Sequence, residues 1–346
     1  MTTHQPDPIV FGERPLSIEQ VVALASRSAA VQLQSDAAYR EKIAKGARFL
    51  DSLLDKEGVI YGVTTGYGDS CVVAVPLHQV EALPRHLYTF HGCGLGKLLD
   101  EASTRAVLAA RLQSLCQGVS GVRVELLERL QAFLKFDVLP LIPEEGSVGA
   151  SGDLTPLSYV AATLSGERDV MFKGERRRAA DVHKELGWTP LTLRPKEALA
   201  LMNGTAVMTA LACQAYSRAD YLLKLATRIT ALNVVALEGN PEHFDERLFA
   251  AKPHPGQMQV AAWLRQDLAI DAPTAPLHRL QDRYSLRCAP HVLGVLADSL
   301  SLLRQFIETE LNSANDNPLI DAEAERVLHG GHFYGGHIAF AMDSLK

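Results

Sequence analysis

Residues 207–237 read VMTALACQAYSRADYLLKLATRITALNVVAL, and this stretch decides the fold class. Its apolar side chains recur at the spacing of an α-helix over many turns. Residues 257–270 and 290–311 carry similar apolar stripes. Long helices of this kind bury their stripes against one another, so we predict a bundle of long helices in residues 203–346.

The chain before this bundle also has a helical pattern, with short connecting loops. Residues 17–20 have the spacing of a capping box, and Asp36 is placed to cap a second helix. Residues 170–178 have the pattern of a small β-hairpin. The sequence therefore predicts a mainly α fold, in which an N-terminal helical domain over residues 1–202 precedes the bundle.

The composition excludes several classes of protein. Among 346 residues, 34 basic and 40 acidic side chains give a formal net charge of -6, which offers no positive field to nucleic acid or an anionic membrane. The five cysteines are an odd number without a CxxC pair, so neither disulfides nor a zinc site is expected. Residues 1–16 lack the pattern of a secretory signal, and no uncharged apolar run is long enough to cross a bilayer. We therefore expect a cytoplasmic protein.

Two glycine-rich segments interrupt the helical pattern. Residues 61–68 read YGVTTGYG, and residues 146–153 read GSVGASGD. Glycine permits backbone conformations that other residues avoid, and helix packing gives no reason for it here. Both segments are therefore predicted to be functional loops.

The tripeptide Ala150-Ser151-Gly152 can build an electrophile from its own backbone. A glycine amide is unhindered, so in a tight bend the Gly152 nitrogen could attack the Ala150 carbonyl carbon. Loss of water from that ring, and of a second water from the Ser151 side chain, would leave a methylidene conjugated to an imidazolone (MIO). Asp153 is placed to organise the protons, and no external cofactor is required.

Three simpler interpretations compete for this loop. A nucleophile elbow needs glycine two residues after the serine, where this chain has Asp153, and a strand before it. A phosphate-binding loop needs a Walker lysine or a dinucleotide fingerprint, and neither spacing is present. A loop that caps a helix beginning near Thr155 and Pro156 fits the sequence, but it leaves the run of small residues unexplained.

Five motifs in order resemble the histidine, phenylalanine and tyrosine ammonia-lyase family. They are YGVTTGYG at residues 61–68, GASGDL at 149–154, NGT at 203–205, QDRYSLR at 281–287 and NSANDNPL at 312–319. The resemblance covers nearly the whole chain. It implies the MIO group, a mainly helical fold and a homotetramer whose active sites combine several subunits.

The resemblance also implies roles for individual residues. Tyr61 corresponds to the base that removes the substrate β-proton, a task for which the pKa of a phenol must be lowered. Arg287 corresponds to the residue that binds the substrate carboxylate, which suits guanidinium geometry. The other expected site residues are Tyr284 near the reacting centre, Gln281 and Asn317 at the carboxylate, Asn203 at the electrophile or amine, Leu154 in the substrate site and Phe333 close to the electrophile. From the residues alone, the polar groups could equally be helix caps or core residues, and the aromatic ones could be packing residues.

Phe90 and His91 correspond to the position at which the family distinguishes its substrates. His91 matches the residue that recognises imidazole in the histidine enzymes, whereas Phe90 matches the phenylalanine enzymes. A histidine can also hydrogen-bond a tyrosine hydroxyl, and Arg283 in the QDRYSLR motif favours the phenylalanine and tyrosine enzymes. We therefore expect elimination of ammonia from tyrosine or phenylalanine to an arylacrylate, with histidine as the alternative. An aminomutase and an inactive truncated subunit also remain open.

The end of the sequence leads to two further expectations. His329, His332 and His337 fit no standard metal-ligand spacing, so no metal is expected. His332 also departs from the family, which usually has asparagine before the phenylalanine.

The chain ends at Lys346, soon after a motif that lies mid-chain in the family, so we expect a bundle that is incomplete at its C-terminus.

Overall fold

The structure is a computed structural model that describes residues 7–56, 58–268 and 279–346. It is mainly helical, which confirms the predicted fold class. The helices are α1 (Ile18–Ala25), α2 (Ala37–Asp55), α3 (Leu77–Val80), α4 (Leu83–Phe90), α5 (Glu101–Leu115), α6 (Val124–Phe136), α7 (Leu154–Leu164), α8 (Ala179–Glu185), α9 (Glu197–Met202), α10 (Ala206–Ala236), α11 (Glu246–Ala250), α12 (Pro255–Leu268), α13 (Tyr284–Arg287), α14 (Ala289–Leu311) and α15 (Gly336–Leu345).

The strands are short and form small separate sheets. They are β1 (Ile9–Phe11), β2 (Val31–Leu33), β3 (Leu95–Leu98), β4 (Leu139–Pro140), β5 (Pro143–Glu145), β6 (Asp169–Phe172), β7 (Glu175–Arg178), β8 (Leu319–Asp321) and β9 (Arg326–Leu328). β1 and β2 pair in parallel, β3 pairs with β5, β8 pairs with β9, and β6 pairs with both β4 and β7. The antiparallel pair β6–β7 confirms the predicted hairpin, whereas the other pairings were not predicted.

The chain divides into two compact units. The first contains Met1–Gln214 and Ile307–Ala339, and the second contains Ala215–Phe306 and Phe340–Lys346. The first unit therefore extends past residue 202 and includes a segment from near the end of the chain. The domain boundary after residue 202 stays a prediction.

Local capping explains where the first two helices begin. Ser17 Oγ accepts a hydrogen bond from the Gln20 N–H, and Gln20 Oε1 accepts one from the Ser17 N–H, which is the reciprocal pair of a capping box. Asp36 caps α2 by accepting from the N–H groups of Ala38 and Tyr39. Both predicted caps are confirmed.

Helix α5 is buried on nearly every side, from Ser103 to Leu115. The helical spacing of Leu108, Leu112 and Leu115 predicts one apolar face, but the helix also buries Arg105 and Arg111. Arginine is seldom buried unless it is paired. The surroundings of α5, which packs against α1 and α6, therefore include more than apolar side chains.

The long helices α10, α12 and α14 lie where the sequence predicts them. Residues 269 and 270, at the end of the second predicted stretch, lie outside the described residues. Within the described ranges, one helical stretch, Tyr284–Leu311, which comprises α13 and α14, is long and apolar enough to cross a membrane. It carries Asp298 and Arg304, so it is not an uncharged run. A single helix of this kind is weak evidence for a membrane span, because long core helices have the same length and composition.

His183 on α8 is completely buried among aromatic rings. Its ring centroid lies 5.8 Å from that of Phe133 and 5.7 Å from that of Trp188. In the part of the chain that the structure describes, neither ring nitrogen has a hydrogen-bond partner. Burial, helped by the positive charge of Arg129, lowers the pKa of His183 to about 4.

We expect His183 to make the protein less stable in mild acid. Its ordinary pKa is 6.5 and its folded pKa is about 4, so the unfolded chain takes up a proton first as the pH falls. The fold is therefore not penalised by His183 above pH 6.5, where the ring is neutral in both states. Towards pH 4 the free energy of unfolding falls by about 2 to 3 kcal/mol on account of this residue. The free energy of unfolding in urea, measured across that range, should fall less steeply for His183→Phe than for the wild type. Equal pH dependence in the two proteins would contradict the prediction.

Candidate active site

The predicted electrophile loop is a tight bend. Ser151 has a φ of 59°, in the left-handed region that non-glycine residues avoid, and Gly152 follows with a φ of 78°. The Gly152 N–H donates to the Gly149 carbonyl oxygen at 3.3 Å. A Cβ atom on Gly152 would lie 2.1 Å from the Gly204 carbonyl oxygen, so only glycine fits there. The loop therefore has the kind of strained bend that cyclisation requires.

The Ser151 carbonyl oxygen accepts two hydrogen bonds. Asn203 Nδ2 donates to it at 2.7 Å, and the Gly204 N–H donates at 3.2 Å. The Asp153 N–H in turn donates to the Gly204 carbonyl oxygen at 2.7 Å, so the turn between α9 and α10 holds the loop in place. Two N–H groups that converge on one carbonyl oxygen can stabilise negative charge on it.

Asp153, directly after the tripeptide, is buried and hydrogen-bonded by neutral donors. Its Oδ2 accepts from the Val207 N–H at 3.0 Å and the Met208 N–H at 2.9 Å, and its Oδ1 accepts from Ser147 Oγ at 3.3 Å. Burial raises the pKa of Asp153 to about 6, although these hydrogen bonds and the charge of Arg111 oppose the rise. A carboxyl group that titrates near neutral pH is suited to accepting and returning protons.

Asn317 belongs to the same hydrogen-bonded group. Its N–H donates to Asn203 Oδ1 at 2.7 Å, and its Oδ1 accepts from the Gly330 N–H at 2.8 Å. The fold therefore brings together Ser151, Asn203 and Asn317 from three distant parts of the chain. Gly330 lies just before Phe333, which is partly buried.

Phe90 and His91 lie at the end of α4, on the chain that leads into β3. β3 pairs with β5, which leads into the electrophile loop, and Leu95 lies opposite Glu145 in that pairing. α4 also packs against α7, which begins at the predicted site residue Leu154, and against α9. His91 is partly buried, and burial lowers its pKa. The predicted selectivity pair thus lies on elements that adjoin the loop.

Tyr61 contacts its own glycine-rich loop and the segment that holds Phe333. Its hydroxyl oxygen accepts from the Gly68 N–H at 2.8 Å. Its ring meets those of Tyr67 and His329 edge to face, with centroids 6.5 and 6.4 Å away. The role of Tyr61 as a base stays a prediction.

Gln281, Tyr284 and Arg287 belong to the second compact unit and lie at or beside α13. The Arg287 guanidinium carbon lies 4.6 Å from the centre of the Tyr284 ring, and its Nε donates to the Asp282 carbonyl oxygen at 3.0 Å. Asp282 Oδ2 accepts from the Asn240 N–H at 2.6 Å, which fixes this turn. The part these residues play in holding a substrate carboxylate stays a prediction.

A buried charged group that the sequence analysis missed lies behind the loop. Lys196 and Asp316 form an ion pair in which neither side chain is exposed, and Ser120 Oγ donates to Asp316 at 2.9 Å. Arg111 is completely buried beside Gly204. These charges come from distant segments, so no spacing in the sequence links them. Of these charged residues, only Asp316 lies in one of the motifs that mark the site, NSANDNPL.

The residues of the loop fit the MIO group. The bend at Ser151, the lack of room for any side chain at Gly152 and the two donors at the Ser151 carbonyl oxygen all suit a ring closed at this tripeptide. Once formed, that group would supply an electrophile to the substrate. Across the described residues, no three histidine, cysteine or acidic side chains are placed to hold a metal ion.

Curated relatives resemble this chain over most of its length. Histidine ammonia-lyase of Bacillus subtilis is 41% identical over 309 residues, which are 88% of this chain and 61% of that protein. Histidine ammonia-lyase of Deinococcus radiodurans is 40% identical over 339 residues, which are 96% of this chain and 64% of that protein. The chain thus spans about three fifths of the length of these relatives.

Solved structures and the family's sequence profile agree with this relationship. Tyrosine aminomutase from Streptomyces globisporus matches with a TM-score of 0.88 and 37% identity, over 98% of this chain and 67% of that one. The profile of the aromatic amino acid lyase family matches residues 16–346. Because that match covers nearly the whole chain and the fold is shared as well, this chain belongs to the aromatic amino acid lyase family.

Proposed function

We propose that this chain forms part of an ammonia-lyase that converts L-histidine to urocanate, with an MIO group built from Ala150-Ser151-Gly152. The observation that carries the proposal is the pair of N–H donors, from Asn203 and Gly204, at the Ser151 carbonyl oxygen. A loop that only caps a helix has no need of such donors. At the carbonyl of an electrophile they would stabilise the negative charge that develops there during reaction.

The other residues would carry out the steps around that electrophile. Elimination breaks the bond between Cα and nitrogen and a bond between Cβ and hydrogen, and it forms a carbon–carbon double bond. MIO supplies the electrophile that makes the amine a better leaving group. Tyr61 is the proposed base for the β-proton, and Arg287, with Gln281 and Asn317, is the proposed binding group for the carboxylate. Tyr284 assists at the reacting centre in this proposal.

Two observations favour histidine over tyrosine or phenylalanine, which the sequence analysis preferred. The relatives that are 41% and 40% identical are both histidine ammonia-lyases. His91 is partly buried, and burial lowers its pKa, which favours the neutral form of its ring. A neutral imidazole offers one donor and one acceptor, and it can therefore pair with the imidazole of a histidine substrate.

An aromatic aminomutase is a second candidate, favoured by the likeness to the tyrosine aminomutase structure. Such an enzyme would use the same electrophile but return the amine to the β-carbon. The residues around Ser151 serve both reactions equally. Identification of the product separates the two.

The substrate proposal is tested by incubating the protein with histidine, tyrosine and phenylalanine. The ultraviolet absorption of the conjugated product gives the rates, and mass spectrometry identifies the product. We expect the highest kcat/KM with histidine. A higher kcat/KM with tyrosine or phenylalanine would refute the proposed substrate, and a β-amino acid as the main product would establish the second candidate.

The variant His91→Phe extends this test to the pocket. We expect kcat/KM for histidine to fall by about tenfold or more, which corresponds to one lost hydrogen bond in a partly buried site, while phenylalanine is affected less. His86→Phe, an exposed position on the same helix, is the matched control and should leave the preference unchanged. The same loss for all three amino acids would show that His91 does not select the ring.

We also propose that the protein is a cytoplasmic homotetramer. Along α10, the side chains of Tyr221, Leu222, Ile229, Leu232 and Val235 are exposed. Apolar surface of this extent is typical of regions that bury against other subunits or other chain segments. All five cysteines are free thiols, which suits a reducing compartment. Sedimentation velocity measures the assembly state.

A further inference from the structure

Arg111, in helix α5, is a completely buried cation beside the electrophile loop. Its Nη1 donates to the Ala200 carbonyl oxygen at 3.1 Å, whereas Nε and Nη2 have no hydrogen-bond partner among the described residues. A buried guanidinium with unpaired N–H groups destabilises a fold. Its presence in spite of that cost points to a role for its charge.

The carboxylates of Asp316 and Asp153 both favour the charged form of Arg111 by electrostatic attraction. Asp316 already has close partners, because Lys196 forms an ion pair with it and Ser120 Oγ donates to it at 2.9 Å. Asp153 has hydrogen bonds from neutral donors, and Arg111 is the charged group that favours its ionised form. Loss of Arg111 should therefore change the ionisation of Asp153, next to the tripeptide, more than that of Asp316.

Arg111 also packs against the backbone that holds the loop. A Cβ atom on Gly204 would lie 2.6 Å from Arg111 Nη2 and 2.4 Å from Asn315 Oδ1. Gly204 is the residue whose N–H and carbonyl groups bind Ser151 and Asp153. The guanidinium thus lies directly behind the loop and its support.

We propose that Arg111 is a positioning residue for the cyclisation of Ala150-Ser151-Gly152, because its charge keeps the buried Asp153 carboxylate ionised while the ring closes. The proposal rests on the proposed function, since it concerns how the MIO group forms. In this role Arg111 does not contact the amino acid substrate. It affects only the formation of the MIO group from the protein's own chain.

The chemistry of ring closure explains why an ionised carboxylate is needed. A bond forms between the Gly152 nitrogen and the Ala150 carbonyl carbon. The Ala150 oxygen then leaves as water with the hydrogens of the Gly152 and Ser151 nitrogens, and a C=N bond forms between Ala150 and Ser151. The Ser151 hydroxyl leaves as a second water with the Ser151 Cα hydrogen, and a C=C bond forms. Asp153 accepts each proton and passes it to the departing oxygen, so the balance requires no oxidant or reductant.

Opposing influences set the charge of Asp153. Burial disfavours its carboxylate, whereas the N–H groups at the start of α10, the Ser147 hydroxyl and Arg111 favour it. Asp316 and Lys196 also lie near Arg111: the Asp316 carboxylate favours the charged form of Arg111, and the charge of Arg111 disfavours the charged form of Lys196. Without Arg111 the pKa of Asp153 would rise above about 6, and a smaller fraction would be ionised at pH 7. Ring closure would then be slower at pH 7 and would recover as the pH rises.

The test follows ring closure itself by mass, independently of enzyme activity. Wild type, Arg111→Met and Arg111→Lys are produced as insoluble, uncyclised protein, dissolved in denaturant and refolded at a series of pH values. Samples taken over time are digested, and the fraction of the tripeptide-containing peptide that has lost two waters gives the rate. Arg105→Met is the matched control, because Arg105 is also buried on α5 but donates to the Leu24 and Leu134 carbonyl oxygens.

A rise of one unit in the pKa of Asp153 from about 6 lowers its ionised fraction about twofold at pH 7 and about fivefold at pH 6. We therefore expect Arg111→Met to close about twofold more slowly than the wild type at pH 7 and about fivefold more slowly at pH 6, and to approach the wild-type rate in alkaline buffer. Arg111→Lys retains the charge and should keep the wild-type pH dependence. It also keeps the test decisive should Arg111→Met fail to fold. Arg105→Met should close with the wild-type pH dependence even if it is less stable.

Two results would overturn the proposal while leaving the proposed function in place. One is a wild-type rate and pH dependence in Arg111→Met. The other is a pH-independent slowing that Arg111→Lys shares, which would mean that the side chain only packs. A wild-type peptide that stays linear after correct refolding would refute the proposed function, and the role of Arg111 with it.

Discussion

Replacement of Ser151 by alanine is expected to remove both the second dehydration and the enzymatic activity. In the proposed ring closure, loss of the Ser151 hydroxyl would create the methylidene, and alanine has nothing to eliminate. The bend itself should survive, because Asn203 and Gly204 bind the backbone carbonyl of residue 151 and not its side chain. Intact mass should show the loss of at most one water instead of the two expected for the wild type, and ammonia release should fall to the limit of detection.

Ser158→Ala is the matched control for this variant. Ser158 is a completely buried serine on α7 whose hydroxyl donates to the Thr155 carbonyl oxygen at 2.7 Å. Its replacement should lower stability slightly and leave both the mass deficit and the activity in place. A Ser151→Ala protein as active as its parent would remove the electrophile from the mechanism.

Replacement of Tyr61 by phenylalanine should separate formation of the electrophile from its use. If Tyr61 removes the β-proton, loss of its hydroxyl should lower kcat by about 10² to 10⁴, the usual contribution of a positioned base. Part of the loss would come from the loop, because the Gly68 N–H loses its acceptor. The mass deficit should stay at the wild-type level, since the described contacts of Tyr61 lie in its own loop and at His329.

Tyr67→Phe serves as the comparison for this prediction. Tyr67 lies in the same loop and meets the Tyr61 ring edge to face. Burial raises the pKa of the Tyr67 phenol, so it stays protonated and is a poor base. We expect Tyr67→Phe to keep most of the activity, and equal losses in the two variants would indicate that loop packing, not proton transfer, is being measured.

The helices and the first caps were predictable because their signals are local. Residues 17–20 and Asp36 act within one turn of the helices that they start, and the β6–β7 hairpin is closed by adjacent residues. The pairing of β3 with β5 was not predictable, since it joins segments more than forty residues apart that have no matching pattern. Helix α5 was predicted with one apolar face, and only its neighbours reveal that it is buried nearly all round.

Some residues of the candidate site could be predicted from local sequence, whereas others depend on contacts with distant segments. The strained bend at residues 149–152 could be inferred from its small residues, and Asn203 and Asn317 from their motifs. The buried charges of Arg111 and Lys196 could not, because an arginine or lysine within a helical pattern is usually a surface residue. Substrate preference was also beyond the motifs, since Phe90 and His91 match different members of the family.

Asn203 joins the predicted electrophile loop to a segment that is synthesised much later. The side chain bonds Ser151 across 52 positions of sequence and the Asn317 backbone across 114. The donors from Asn203 and Gly204 can therefore reach the bend only after residue 204 has been synthesised, and the Asn317 N–H that orients the Asn203 side chain follows more than a hundred residues later. If the tripeptide cyclises as proposed, an electrophile able to capture any passing amine or thiol would form only inside a folded protein, where side chains already control access to it.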